Sequence, residues 1–100
     1  VALSKLWLDK NNGTGEHETT LRILKLMEEA GEVARARIGM VGQNPRKGFT
    51  HDAAEVATEL ADCIITAAVA IESLGYRYEE VLAIAERRIL TRIAGHGQQD

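Results

Sequence analysis

The segment from Asp52 to Ser73 restricts the fold of this 100-residue chain more than any other part of the sequence. Its charged residues are all acidic, and no lysine or arginine lies among them to form the i,i+4 ion pairs of an ordinary exposed helix. Apolar residues cover more than half of the helical wheel. The segment therefore predicts a helix that packs on several sides and carries unpaired negative charge. One polar stripe contains Asp52, Glu55, Glu59, Asp62, Thr66 and Ser73.

The rest of the chain also favours helices. Alanine is abundant, runs of β-branched residues are scarce, and there are only four aromatic residues. Glycine-rich turns at 11–15 and 42–48 separate the segments, and Asp52 is placed to cap a helix. The sequence predicts one all-α domain over residues 1–100, with an N-terminal segment at 1–15 and a frayed tail at 95–100. The helices are expected at 1–10, from 16–19 to 39–42, from 52 to 74, and after 76–79.

Short connections between these helices predict an antiparallel helical bundle. On the first long helix, the apolar and the charged residues separate onto opposite faces when they are projected at 100° per residue. We expect the apolar face to pack in the bundle and the charged face to meet solvent. The apolar face contains Ile23, Met27, Ala30, Gly31, Ala34 and Ile38, and the opposite face contains Arg22, Lys25, Glu29 and Glu32.

Charge and cysteine usage restrict the class of protein. The net charge of −3 lacks the basic excess that binds nucleic acid polymers, and a lone Cys63 cannot form an intramolecular disulfide. The longest apolar stretch, Cys63 to Ile71, is far shorter than a membrane span. We therefore expect a cytoplasmic protein with no nucleic acid or membrane partner. Because a chain of this size buries a limited core, a homo-oligomer through the second long helix is expected.

Two pairs of carboxylates form the candidate functional site. Glu29 and Glu32 lie three residues apart on the first long helix, and Glu59 and Asp62 have the same spacing on the second. Residues three apart share a helix face, so facing antiparallel helices would let the four carboxylates converge on one hard cation. Mg²⁺ is the ion that suits this set of oxygen ligands.

The alternative is that these acids are ordinary solvated surface residues. On the first long helix this interpretation stays open, because Lys25 can pair with Glu28 or Glu29, and Arg35 can pair with Glu32. The second long helix argues against it, since like charges within a partly buried bundle would destabilise the fold unless a cation neutralised them. A bound metal resolves that conflict.

The segments LKLMEEAGEVARA and EVATELADCIITAAVAIESLGY resemble those of the MazG-like, all-α nucleoside triphosphate pyrophosphohydrolases. In that family an EExxE motif on one helix is followed by ExxD on the next. The resemblance implies that Glu29, Glu32, Glu59 and Asp62 hold magnesium. It also implies hydrolysis of a nucleoside triphosphate between the α and β phosphates, releasing a monophosphate and pyrophosphate, in a homodimer or a dimer of dimers.

Further residues are candidates for the chemistry of such a site. Glu28 and Glu55 lie beside the proposed ligands, where two roles are open: orienting those ligands or accepting the water proton, with a plain surface position as the alternative. Phosphates need cations, and the candidates are Lys25 with Arg46 and Lys47 of the proline-containing loop. The resemblance adds His17 as a nucleotide contact. His51 is assigned no role.

Two other functions remain open at the level of sequence. One is hydrolysis of a different pyrophosphate-bearing nucleotide, such as phosphoribosyl-ATP. The other is a non-catalytic dimeric helical module that keeps the acidic site but regulates a partner protein. Basic phosphate ligands beside the acids would favour catalysis over the regulatory module.

Overall fold

A computed structural model of the protein describes residues 1–97. Over this range the chain forms four helices and no strand, which confirms the predicted all-α class. None of these four helices is long and apolar enough to cross a membrane. The helices are α1 (Ala2–Asn12), α2 (Glu16–Val41), α3 (Ala53–Ser73) and α4 (Tyr78–Gly97).

The helix boundaries follow the turn residues of the sequence. Gly42 ends α2 in the left-handed conformation, with a φ of 66°, which a side chain with a Cβ rarely adopts. The carboxylate of Asp52 caps α3 by accepting the backbone N–H of Glu55 at 2.8 Å, as predicted. Of the tail at 95–100, for which fraying is predicted, residues 95–97 belong to α4, and residues 98–100 lie outside the described part of the chain.

Helices α2 and α3 pack antiparallel along their length, and this pairing positions the candidate site. Arg22, near the start of α2, contacts Ser73 at the end of α3. Glu29, in the middle of α2, lies beside Glu59 in the middle of α3. Near the end of α2, the carbonyl of Gly39 accepts the N–H of Thr50 at 3.0 Å. The order of these three contacts runs in opposite directions along the two helices.

Residues shielded from solvent recur every three or four positions on α3 and, from Glu29 onwards, on α2, which is the spacing of a seam between paired helices. The seam is unusual because it contains charged and small residues where most helix pairs have large apolar ones. Close packing is possible because glycine and alanine occupy part of it. We define the seam as Arg22, Glu29, Glu32, Ala36 and Gly39 of α2 with Val56, Glu59, Cys63, Thr66, Ala70 and Ser73 of α3.

The predicted packing face of α2 is wrong for the single chain. Ile23, Met27 and Ile38 are 44%, 74% and 47% exposed, whereas Arg22 on the supposedly solvated face is only 5% exposed. The charged side of α2 also carries Ala36, whose small side chain is buried, and Gly39, against whose backbone Thr50 and His51 of the following loop lie. The side of α2 that carries these small residues therefore packs against the rest of the chain, and the apolar side of α2 is exposed to solvent.

The buried core is small, and α4 adds little to it. The buried apolar residues are Ala36, Ala68, Val69 and Ala70. Early α4 residues, such as Val81 and Ala85, are half-buried near α3, but every residue from 86 to 96 is exposed. Helix α4 therefore projects from the α2–α3 pair and does not pack along it as the predicted bundle requires.

The dimensions of the chain reflect this open arrangement. The Cα radius of gyration is 17.6 Å, whereas a compact chain of 100 residues has about 13 Å. The accessible surface is 7714 Å², compared with about 5,600 Å² for a compact monomer of this mass. The difference includes large apolar side chains on α2, α3 and α4 that are exposed in the single chain.

Arg22 ties three helices together at one end of the seam. Its Nη1 donates to Asp9 of α1 at 2.7 Å and to the Ser73 hydroxyl of α3 at 3.0 Å. Its Nε donates to Glu18 at 2.7 Å, and Nη2 donates to the Gly13 carbonyl at 3.0 Å. A planar guanidinium satisfies these four acceptors at once, which an ammonium group cannot do.

We predict that Arg22→Ala lowers the free energy of unfolding by about 2 kcal/mol, because it removes this set of charge-assisted hydrogen bonds from a buried position. Urea denaturation followed by circular dichroism measures the change. The matched control is Arg88→Ala at an exposed position of α4, which should change stability by less than about 0.5 kcal/mol. Equal effects of the two substitutions would contradict the role of Arg22.

The same cluster predicts an acid dependence. Hydrogen bonds from Lys5 and Arg22 hold the pKa of Asp9 below its ordinary value, and the bond from Arg22 does the same to the pKa of Glu18. Such carboxylates stabilise the fold above their unfolded pKa, and this contribution is lost as the pH falls through the lower folded pKa. Unfolding free energy should therefore fall below about pH 4.5, and less steeply in Arg22→Ala.

Candidate metal centre

Three carboxylates meet at the middle of the α2–α3 pair. Glu29 of α2 and Glu59 and Asp62 of α3 each place one carboxylate oxygen within 4.8 Å of those of the other two. The spacing of three residues puts Glu59 and Asp62 on successive turns of one face of α3. We call these three residues the acid cluster.

The seam places the acid cluster against the packed surface of the helix pair. The side chain of Glu29 is 18% exposed, and Glu59 is also partly buried. Partial burial strengthens the repulsion between like charges, because water screens them less than it screens charges on an open surface. The cluster therefore concentrates three carboxylates at a partly buried place on the helix pair.

Cys63, which follows Asp62 on α3, lies close enough to the acid cluster for its thiol pKa to be affected by the negative charge. Burial raises the pKa of the Cys63 thiol, and the charges of Glu29, Asp62 and Glu59 raise it further. All three cluster carboxylates thus act on the same thiol, one in the middle of the seam. Their negative field favours cations and disfavours a thiolate.

The chemistry of the cluster fits a hard divalent cation. Its ligands are carboxylate oxygens, which suit Mg²⁺, Ca²⁺ and Mn²⁺ better than softer metals. Mg²⁺ is bound in proteins by a few carboxylates and retains several water molecules. Three carboxylates would therefore leave coordination positions for water and for substrate oxygens.

Glu32 is the predicted metal ligand that does not join the acid cluster. Its Oε2 accepts a hydrogen bond from Nη1 of Arg35 at 3.0 Å, and its side chain is 37% exposed. The motif spacing places Glu32 one turn from Glu29, but the arginine three residues later turns its carboxylate away. The structure thus brings together three of the four predicted ligands.

The other acidic candidates lie outside the cluster. Glu28 is 68% exposed and accepts from Lys25 at 3.4 Å. Glu55 is exposed in the first turn of α3, one turn before Glu59. Lys25 also lies 3.8 Å from Glu29, so its ammonium is at the edge of the acid cluster.

The other basic candidates lie farther away. His17 is exposed in the first turn of α2, about 18 Å along the helix from Glu29. Arg46 and Lys47 lie in the turn between α2 and α3, and only Lys47 of these two lines a cavity beside the end of α2. Within the described chain, His17 and Arg46 are not assembled with the carboxylates.

Two basic residues that the sequence interpretation leaves without a role line the same cavity as Lys47. They are Arg35, interpreted only as the partner of Glu32, and His51, interpreted as incidental. The signal available in the sequence was the position of Arg35 one turn beyond the EExxE motif and of His51 directly before the cap of α3. Neither position shows by itself that the loop folds back to bring the two residues together.

Comparison of the chain with protein-family models, with curated protein sequences and with solved structures found no match.

The acid cluster predicts opposite effects of charge removal with and without metal. Without divalent cations, Glu59→Gln should raise the melting temperature by about 2–5 °C because it relieves repulsion. With Mg²⁺, the wild-type melting temperature should rise with ion concentration, and that of Glu59→Gln should rise much less. Differential scanning fluorimetry measures both effects.

Glu86→Gln is the control, because Glu86 is an exposed acid in the middle of α4. It removes the same charge from the protein but should leave both melting temperatures and the response to Mg²⁺ unchanged. A wild-type protein whose melting temperature ignores saturating Mg²⁺ would contradict the proposed site.

Proposed function

We propose that the protein is a magnesium-dependent pyrophosphohydrolase that cleaves a nucleoside triphosphate between the α and β phosphates. The observation that carries the proposal is the acid cluster: Glu29 of one motif and Glu59 and Asp62 of the other share one site on a packed helix pair. The resemblance to MazG-like enzymes supplies the reaction.

The position of each residue indicates its role in the proposed reaction. Glu29, Glu59 and Asp62 would hold Mg²⁺, which neutralises phosphate charge and lowers the pKa of a bound water when present. Lys25, 3.8 Å from Glu29, can turn its flexible ammonium towards a phosphate oxygen at the edge of the cluster. The reaction thus needs no covalent nucleophile from the protein.

Glu55 is a better candidate than Glu28 for accepting the water proton. The carboxylate of Glu28 is 68% exposed and already engaged by the ammonium of Lys25 at 3.4 Å. Within residues 1–97, no ion pair engages the carboxylate of Glu55, which lies one turn before Glu59 on the same helix. Glu55 is therefore available to act through a water molecule at the edge of the site.

We also propose that the active form is a homodimer built on α3. Apolar residues cover most of the circumference of this helix. Two of them, Leu60 and Ile64, are 49% and 66% exposed in the single chain. The accessible surface exceeds that of a compact monomer by about 2,100 Å², which is more than the roughly 800 Å² per partner of a standard interface. A second copy supplies the same apolar faces and can cover them symmetrically.

The proposed activity predicts release of pyrophosphate from at least one nucleotide in a panel of ribo-, deoxy- and oxidised nucleoside triphosphates, in the presence of Mg²⁺. Glu59→Gln or Asp62→Asn should reduce the rate by about 100-fold or more, because each removes a proposed metal ligand. A coupled phosphate assay with added pyrophosphatase measures the rate.

Glu86→Gln serves as the control with an exposed charge removed, and its rate should equal that of the wild type. If Mg²⁺ binds but the whole panel stays intact, the catalytic proposal fails and the non-catalytic regulatory module is favoured. If phosphoribosyl-ATP is the one nucleotide hydrolysed, the proposed metal site stands, but the proposed substrate is replaced by phosphoribosyl-ATP.

If the protein is a dimer, its mass in analytical ultracentrifugation should be at least twice that of one chain. Ile64→Glu should shift the protein towards monomer, because it places a charge in the proposed apolar interface. Arg77→Glu, at a 76% exposed side chain between α3 and α4, makes a larger charge change and should leave the mass unaltered. A monomeric wild-type protein in analytical ultracentrifugation would contradict the proposal.

A further inference from the structure

A cavity of about 290 Å³ lies between the C-terminal end of α2 and the loop that leads to α3. Three basic side chains line it, and three others offer amide or hydroxyl groups. Among the described residues that line the cavity, none is acidic, although the chain as a whole has a net charge of −3. The basic residues are Arg35, Lys47 and His51, and the neutral ones are Gln43, Asn44 and Thr50.

The walls of this cavity are fixed by the loop itself. The Asn44 carbonyl accepts the N–H groups of Lys47 and Gly48 at 3.1 and 2.9 Å, which closes a turn. Thr50 donates its N–H to the Gly39 carbonyl at 3.0 Å and so returns the chain to the end of α2.

The return brings side chains directly against the α2 backbone. A Cβ at Gly39 would clash with the Thr50 hydroxyl and the His51 ring, so glycine is what allows them to lie there. The Thr50 hydroxyl and Nδ1 of His51 are 2.9 Å apart, a hydrogen bond that orients the imidazole. The cavity is thus held by bonds within the protein before any ligand arrives.

Arg35 connects the cavity to the acid cluster. It lines the cavity, and its Nη1 also bonds Glu32, which lies one turn from Glu29. Helix α2 rises about 9 Å between Glu29 and Arg35. A ligand with a chain of phosphates can therefore meet the carboxylate-held ion at one end and the basic cavity at the other.

We propose that this cavity binds the β and γ phosphates of the nucleotide, the part that leaves as pyrophosphate. This inference rests on the proposed function. Polyphosphate oxygens match the guanidinium of Arg35, the ammonium of Lys47 and the hydrogen-bond donors around them.

The reaction gives these cations a direct role. The oxygen of water forms a bond to the α phosphorus, and the bond from that phosphorus to the α–β bridging oxygen breaks. The electron pair stays on the bridging oxygen, so negative charge grows on pyrophosphate. One water proton is carried by the products and the other is released to solvent. Cations already positioned around the leaving group stabilise this charge as it develops.

The test measures binding of inorganic pyrophosphate to the full chain by calorimetry, with a chelator present to remove divalent metals. Lys47→Ala should weaken binding by about tenfold, since it removes one charge from the cavity. Lys10→Ala, at an exposed position of α1, should bind pyrophosphate like the wild type. Because no metal and no hydrolysis are involved, this result is independent of the proposed activity.

Three outcomes would overturn the proposal. In the first, wild type and Lys47→Ala bind pyrophosphate equally or not at all. In the second, Arg46→Ala, which removes a neighbouring loop charge outside the cavity, weakens binding as much as Lys47→Ala. In the third, a nucleoside monophosphate displaces pyrophosphate while inorganic phosphate does not, which would assign the cavity to the other end of the substrate. Nucleotide hydrolysis could continue in all three cases.

Discussion

The seam between α2 and α3 brings charged and small side chains to positions where most helix pairs place large apolar ones. Alanine and glycine let the two backbones approach, but they bury little apolar surface, so the pair gains less stability than a leucine-rich seam would provide. The carboxylates in the middle of the seam repel one another. The proposed cation between the acids and the proposed second copy over the apolar faces would offset both features.

The α2–α3 pair carries three charged sites, which follow one another along its length. Arg22 closes one end by joining α1, α2 and α3. The acid cluster occupies the middle, and the basic cavity lies where the loop returns to the other end of α2. Helix α2 rises about 9 Å between Glu29 of the acid cluster and Arg35 of the cavity, so the two sites are separate along the pair. A substrate that combines a metal-binding phosphate with a terminal anionic group would complement this order.

Assembly and catalysis are linked in the proposed function. Helix α4 projects with its apolar residues uncovered, and α3 retains exposed leucine and isoleucine on a helix that also carries two of the cluster carboxylates. If a second copy covers α3, its packing restricts how far Glu59 and Asp62 can move apart. Dimerisation would then both protect apolar surface and hold the acids at the spacing a metal requires.

Local rules of the sequence determined the helices, the cap at Asp52, the turn at Gly42 and the pairing of Glu59 with Asp62, because these depend on residues within a few positions of one another. Tertiary structure alone decided which face of α2 packs. The wheel placed Ile23 and Met27 inward and Arg22 outward, but close approach at Ala36 and Gly39 reversed this. It also placed Arg35 and His51 on the walls of one cavity, since that depends on how the loop folds back onto α2, which no local pattern contains.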